Sequence, residues 1–251
     1  MPFNPGARLH RLAHSRVINS RYIESHRHTR LPLPYLKNQL ESGVEVNCCV
    51  SAAFTVCMEF LESNEQAVEL STLFHYHHAT DGQYQQTLSF KDGKIAAEDY
   101  GICEKFFHPH EIAPDNVEIK PEYEALRDGD DRLLERCETL IRPNDINDWL
   151  LWLCKGSPLI LLFYLDLVTY LNLPNTHSIL EYPKNPSSYE GHAVVICGFD
   201  MDSQLFVIQD CRGREWCDSG FWYLPFEIAK RSDFAHTVGI ILETSKGKLQ
   251  K

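Results

Sequence analysis

Asn47-Cys48-Cys49-Val50-Ser51-Ala52-Ala53-Phe54-Thr55-Val56-Cys57-Met58-Glu59-Phe60-Leu61 is the stretch from which the rest of the chain can be placed. Its apolar positions Val50, Ala53, Phe54, Cys57, Met58 and Leu61 follow i, i+3, i+4, i+7, i+8, i+11 spacing, and neither Gly nor Pro interrupts them. That spacing predicts an amphipathic helix from Cys49 to Leu61, with Asn47 as its N-cap. Upstream, Pro2, Pro5, Pro32 and Pro34 predict an extended arm with an edge strand over residues 1 to about 44. Downstream, a short helix is expected over Glu69 to Ala79, with turns at Asp81-Gly82 and Asp92-Gly93. Further helices are expected near Asp131 to Thr139 and over Asn144 to Cys154, the latter capped by Asp145 and stopped by Gly156 and Pro158. Beyond that point the runs Leu159–Leu165, Ala193–Phe199, Leu205–Gln209, Trp222–Leu224 and Thr237–Leu242 read as strands. Helices in the first half and strands in the second give an α+β class rather than alternating α/β.

The 251 residues carry 24 Lys+Arg against 35 Asp+Glu, a net charge of −11, which speaks against nucleic acid as the main partner. The longest strongly apolar run, Ser157 to Leu165, is broken by Asp166 and falls far short of the roughly 20 residues a membrane-spanning helix needs. No secretory h-region follows Met1. The first 30 residues instead hold Arg8, Arg11, Arg16, Arg21, Arg27 and Arg30 against the single acid Glu24, a basic arm expected to lie across an acidic body. With no secretory signal and nine cysteines, an odd number, a disulfide framework is not expected and a cytoplasmic location is. No C-x-x-C pair occurs, and His75, His77 and His78 have no partner pair at zinc-finger spacing. No structural metal is therefore expected, and the His tract reads as a half-exposed helix face.

Three residues have the types that thiol chemistry needs. Cys49 opens the helix, where the N-terminal dipole and a nearby imidazolium favour thiolate. His192 follows Gly191 at the head of an apolar strand and is suited to carry a proton; Asp210 ends the next strand and is suited to orient the ring through its other nitrogen.

At these residues the sequence resembles the papain-like cysteine peptidase family, from about residue 30 onward. Asn47-Cys48-Cys49-Val50-Ser51-Ala52-Ala53-Phe54, with Glu59 ten residues after Cys49, is similar to the family's G-S-C-W-A-F-S block, and that register selects Cys49 over Cys48 as nucleophile. Glu190-Gly191-His192-Ala193-Val194-Val195-Ile196-Cys197-Gly198-Phe199-Asp200 resembles the strand that bears the family's catalytic His. Asp210-Cys211-Arg212-Gly213-Arg214-Glu215-Trp216-Cys217, followed by Gly220-Phe221-Trp222, matches its N-S-W-G-x-x-W-G…G-Y block in register. Weaker similarities lie at Leu70-Ser71 with Tyr76, and from Tyr100-Gly101-Ile102-Cys103-Glu104 to His108-Pro109-His110.

The resemblance implies a two-lobed fold, a mainly helical lobe (about 45–150) packed against an antiparallel β-barrel-like lobe (about 155–251 with the 31–44 segment). Residues 31–251 would then form one domain behind the 1–30 arm. It implies thiol-dependent hydrolysis of peptide or amide bonds through Cys49, His192 and Asp210, by way of an acyl-thioester, on a protein or peptide substrate and with no cofactor.

The departures set expectations of their own. Asp210 stands where the family has Asn, Val50 where it has Trp, and Arg212 where an aromatic shield follows the Asn, so the dryness of the His–Asp bond depends on what covers it. The oxyanion-hole Gln would fall at Gly43; Gln39, ten residues before Cys49, serves if four residues loop out between them. Two other readings of the same residues are a catalytically silent papain-like binding module and an acyl transferase of the transglutaminase or deamidase kind.

Overall fold

The computed structural model describes residues 23, 25–63, 67–183 and 189–249. Of the basic arm, residues 1–22 and 24 lie outside the described residues. The arm's end is strand β1 (His28–Arg30), antiparallel to the last residues of β4 (Tyr189–Asp200). The approach is so close that a Cβ on Gly198 would meet the Thr29 carbonyl oxygen at 2.3 Å, so only Gly fits there. Arg27 pairs with Asp202, and His28 lies 3.1 Å from Asp200, so basic groups do meet acidic ones where the arm joins the body.

Helix α1 spans Cys49–Glu62 as its periodicity predicts, but its N-cap is Cys48, without a side-chain cap. The Asn47 amide is drawn instead toward the Gln85 carbonyl. Helix α2 (Thr72–Thr80) begins later than expected because Leu70 first bridges to Glu104; Ser71 caps it by accepting from the Phe74 N–H, and Asp81 closes it with a positive φ. Asp92-Gly93 is not a turn. Both residues lie in α3 (Phe90–Asp99), where Ser89 and Asp92 form a capping box and Gly93 lets the helix press on α1, a Cβ there meeting Val50 at 2.8 Å.

Helix α4 (Tyr123–Asp130) is followed by strand β2 (Leu134–Thr139) where a helix was expected over 131–139. The ladder that pairs β2 with β7 (Ala235–Thr244), Cys137 opposite Ile241 and Thr139 opposite Gly239, overrides the local preference. Helix α5 (Ile146–Cys154) is capped by Asp145 as predicted. Strands β3 (Leu159–Asp166), β5 (Leu205–Gln209) and β6 (Phe221–Pro225), with β4 and β7, contain the predicted apolar runs; the short helices α6 (Leu167–Leu171) and α7 (Phe226–Ala229) join them.

The antiparallel sheet runs β2-β7-β3-β4-β5-β6 and stays open rather than closing into a barrel. Both faces of its central strands are buried, which explains the unbroken apolar run of β3. Along β4, Val194 and Ile196 point into a core with Trp149, Leu161, Phe206 and Trp222, whereas Ala193 and Val195 point into a second core with Phe54, Met58, Leu73 and Tyr76. Helix α1 is therefore enclosed by the helical layer and by the sheet. Among the described residues no helix is long and apolar enough to cross a membrane.

Candidate active site

The start of α1 separates its two adjacent thiols. Cys48 is fully buried, and desolvation, aided by the neighbouring Cys49, pushes its pKa far above the thiol range; it remains an inert thiol. Cys49, one residue on, is partly exposed and lines a cleft of about 760 Å³ at the uncapped head of the helix. The motif register and burial thus select the same sulfur.

His192 approaches that sulfur from β4. Its Nε2 lies 3.2 Å from Asp210 Oδ1, and the ring shares the cleft with Cys49, close enough for the two to interact electrostatically. Because Nε2 faces the carboxylate, Nδ1 is the ring nitrogen not committed to Asp210. Burial alone would lower the imidazole pKa; the Asp210 charge and hydrogen bond, with a smaller contribution from Cys49, override it and raise it to about 10. Asp210 shows the mirror effect. Burial would raise its pKa, but His192, Tyr170 and Trp222 together hold it below its usual value.

Two of those partners were not foreseen as site residues. The Tyr170 hydroxyl, from α6, donates to Asp210 Oδ2 at 2.8 Å and sits 3.1 Å from His192 Nε2. Trp222 Nε1, from β6, donates to the same oxygen at 2.7 Å, while Oδ1 also accepts from the Cys211 N–H at 2.8 Å. A Trp in an apolar strand has an N–H that must find an acceptor, and that signal could have tied Trp222 to Asp210. Nothing in the run Leu165 to Leu171 singles out Tyr170.

The four donors explain the carboxylate at position 210. An amide would turn an N–H toward the Trp222 N–H, which cannot accept, and would orphan one buried donor.

Gln39 lies on the cleft wall. The Val46 N–H returns to the Gln39 carbonyl at 3.0 Å, so residues 40–45 loop out with Gly43 at a positive φ. Gln39 is buried and lines the same cleft as Cys49; its Nε2 donates to Glu45 Oε1 at 2.6 Å.

The donor atoms of His192, Asp210 and Cys211 fall within 4.8 Å of one another, but the Asp oxygens are fully engaged and burial keeps Cys211 a thiol, so the set is a hydrogen-bond network. The His tract is half-exposed only in part: His77 and His78 are partly exposed, whereas His75 is not. His75 is fully buried between Ser51 and the Gly93 carbonyl, His77 binds the Val117 carbonyl, and His78 stacks on Tyr100.

No family model matches the chain, and no curated protein matches it in sequence. Solved structures do. Xylellain, a cysteine protease from Xylella fastidiosa, superposes with a TM-score of 0.76 at 20% identity, over 86% of this chain and 85% of that one. Digestive procathepsin L 3 of Tenebrio molitor follows at 0.65 and 15%, over 86% and 70%. The Carica candamarcensis cysteine protease CMS1MS2, in complex with E-64, gives 0.57 and 13%, over 86% and 94%.

The fold is papain-like. Within that papain-like frame, Arg212, at the aromatic-shield position, does not open the His–Asp pair to water. Its guanidinium lies over Trp216 and Tyr170, 4.9 and 5.7 Å from the ring centres, and pairs with Glu45 at 3.0 Å. Tyr170 and Trp222 supply the cover, and the His192 side chain is only 9% exposed.

Proposed function

We propose that the chain is a thiol peptidase in which Cys49 attacks the carbonyl of a peptide or amide bond. His192 carries the proton to the leaving amine, and Asp210 fixes the ring. An acyl-thioester forms as the amine departs, and water then releases the acid. The observation that carries this reading is His192 held between a partly exposed sulfur at a helix head and a carboxylate with four donors. Nε2–H is committed to Asp210, so Nδ1 is free to exchange a proton with the sulfur. The charge state of the ring also suits the reaction, since a His192 pKa raised to about 10 keeps it an imidazolium, able to give a proton to the leaving amine, at neutral pH. Gln39 is the candidate side-chain donor to the oxyanion. All nine cysteines are free, which suits a reducing, cytoplasmic setting.

An internally quenched peptide library, read by mass spectrometry, tests the proposal. Cleavage is expected from the wild type and none from Cys49→Ala. Low iodoacetamide should label Cys49 ahead of the other thiols, and His192→Ala should abolish that preference. Even labelling and no cleavage would sink the proposal in favour of a silent binding module. Incorporation of an added amine in place of hydrolysis would reassign the chain as an acyl transferase.

A further inference from the structure

Beside the catalytic groups lies a second set of contacts, centred on the amide of Gln39. Its backbone is pinned to the residue after Asp210, the Gln39 N–H donating to the Cys211 carbonyl at 2.7 Å. Its side chain is held at both ends. Oε1 accepts from the Cys211 thiol at 3.2 Å, and Nε2 donates to Glu45 Oε1 at 2.6 Å. Glu45 sits on the looped-out segment and is itself held by Arg212, which stacks on Trp216.

An amide has two chemically different ends on a symmetric frame, and only the NH₂ end can stabilise an oxyanion. Rotation by half a turn would aim the carbonyl oxygen at the developing negative charge. We infer that Cys211 and Glu45 are positioning residues that fix the Gln39 amide with its NH₂ end toward the cleft, resting on the peptidase reading given above. The carboxylate can only accept from Nε2, and the thiol donates to Oε1 where its sulfur would be only a weak acceptor, so both contacts favour the observed amide over the reversed one. One Nε2 hydrogen goes to Glu45 and the second remains for the oxyanion. Burial, with the Asp210 charge as a smaller contribution, holds the Cys211 thiol well above its ordinary pKa and keeps it a donor across the working range. Cys211 is 5% exposed and makes no contact with substrate in this role.

The test is a kinetic cycle on the quenched peptide best cleaved by the wild type. Gln39→Ala is expected to lower kcat about 100-fold, the loss of one oxyanion donor. Cys211→Ala should lower kcat about tenfold with KM unchanged, and Cys211→Ser, which restores a donor, should recover most of that loss. The double variant Cys211→Ala/Gln39→Ala should be no slower than Gln39→Ala alone, because Cys211 acts only through the amide. Glu45→Ala should follow the pattern of Cys211→Ala.

Additive losses in the double variant, or full kcat in Cys211→Ala, would overturn the inference while leaving the peptidase reading intact. A wild type that cleaves nothing would overturn both. Should Cys211→Ala fail to fold, Cys211→Ser against Cys211→Val decides, since only Ser can donate to the amide.

Discussion

Two buried ion pairs involve or approach opposite ends of α1, and they reach different charge states. Near the C-terminal end, Glu59 is fully buried against Lys37; Oε1 also accepts the Leu70 N–H, while Oε2 has no partner. Burial wins there, and the Glu59 pKa rises to about 7 despite the lysine. Beyond the N-terminal end, Asp210 is as deeply buried, yet its pKa falls, because the His192 charge, with hydrogen bonds from His192, Tyr170 and Trp222, outweighs burial. Burial alone does not set a carboxylate's charge; the balance of burial against the nearby positive charge and the donors around it does. The pair near the helix's end serves packing, and the one at its head is the candidate for chemistry.

Removing the centre of the second pair should have the largest effect. Asp210→Ala leaves Tyr170, Trp222 and His192 without their shared acceptor, and kcat on a cleaved peptide should fall by about 10⁴-fold, as when a triad carboxylate is lost. Lys37→Met breaks the first pair instead. It should cost about 3–5 kcal/mol in urea unfolding by leaving a buried charge unmatched, while the rate of iodoacetamide labelling at Cys49 stays at its wild-type value. An altered labelling rate would show that the two pairs are coupled through α1. The double change Lys37→Met/Glu59→Leu should regain most of that stability, because an apolar pair of similar volume replaces two desolvated charges.

The pH dependence of stability separates the pairs by pH window, because both contributions fall as pH rises. The folded pKa of His192 lies above its unfolded value, so its contribution is full below about 6.5 and is lost as pH rises through about 10. The Glu59 pKa is also raised, in a lower pH window. The folded state favours its protonated form, and stability falls as pH rises from about 4.5 through about 7. Melting curves across pH 4 to 11 should lose the alkaline fall in His192→Ala and the acid-side fall in Glu59→Gln. Trp222→Phe is the smallest change, deleting one donor to the carboxylate for about 1.5–3 kcal/mol.

How much of this could be read from the chain depends on the range of each contact. Helix α1 and the strands after Leu159 were legible because their apolar spacing records burial directly. The segment 131–139 misled because its ladder to β7, about 100 residues away, leaves no local mark. Asp92-Gly93 looked like a turn because a glycine that admits a neighbouring helix has the same letter as one that bends the chain. At the site, Cys49, His192 and Asp210 lie in motifs and Gln39 at a countable distance from them. Tyr170 and the Glu45–Arg212 pair owe their place to tertiary packing, and a single sequence does not encode that as a pattern.

The strand that bears His192 has one hydrophobic core against each side. Any breathing of one layer against the other must pivot on it, and the imidazole rides near the end of that lever. A methyl group removed from either core, at Val194 or Val195, would therefore be felt as a change in the gap between ring and sulfur, well before the molecule as a whole loosened.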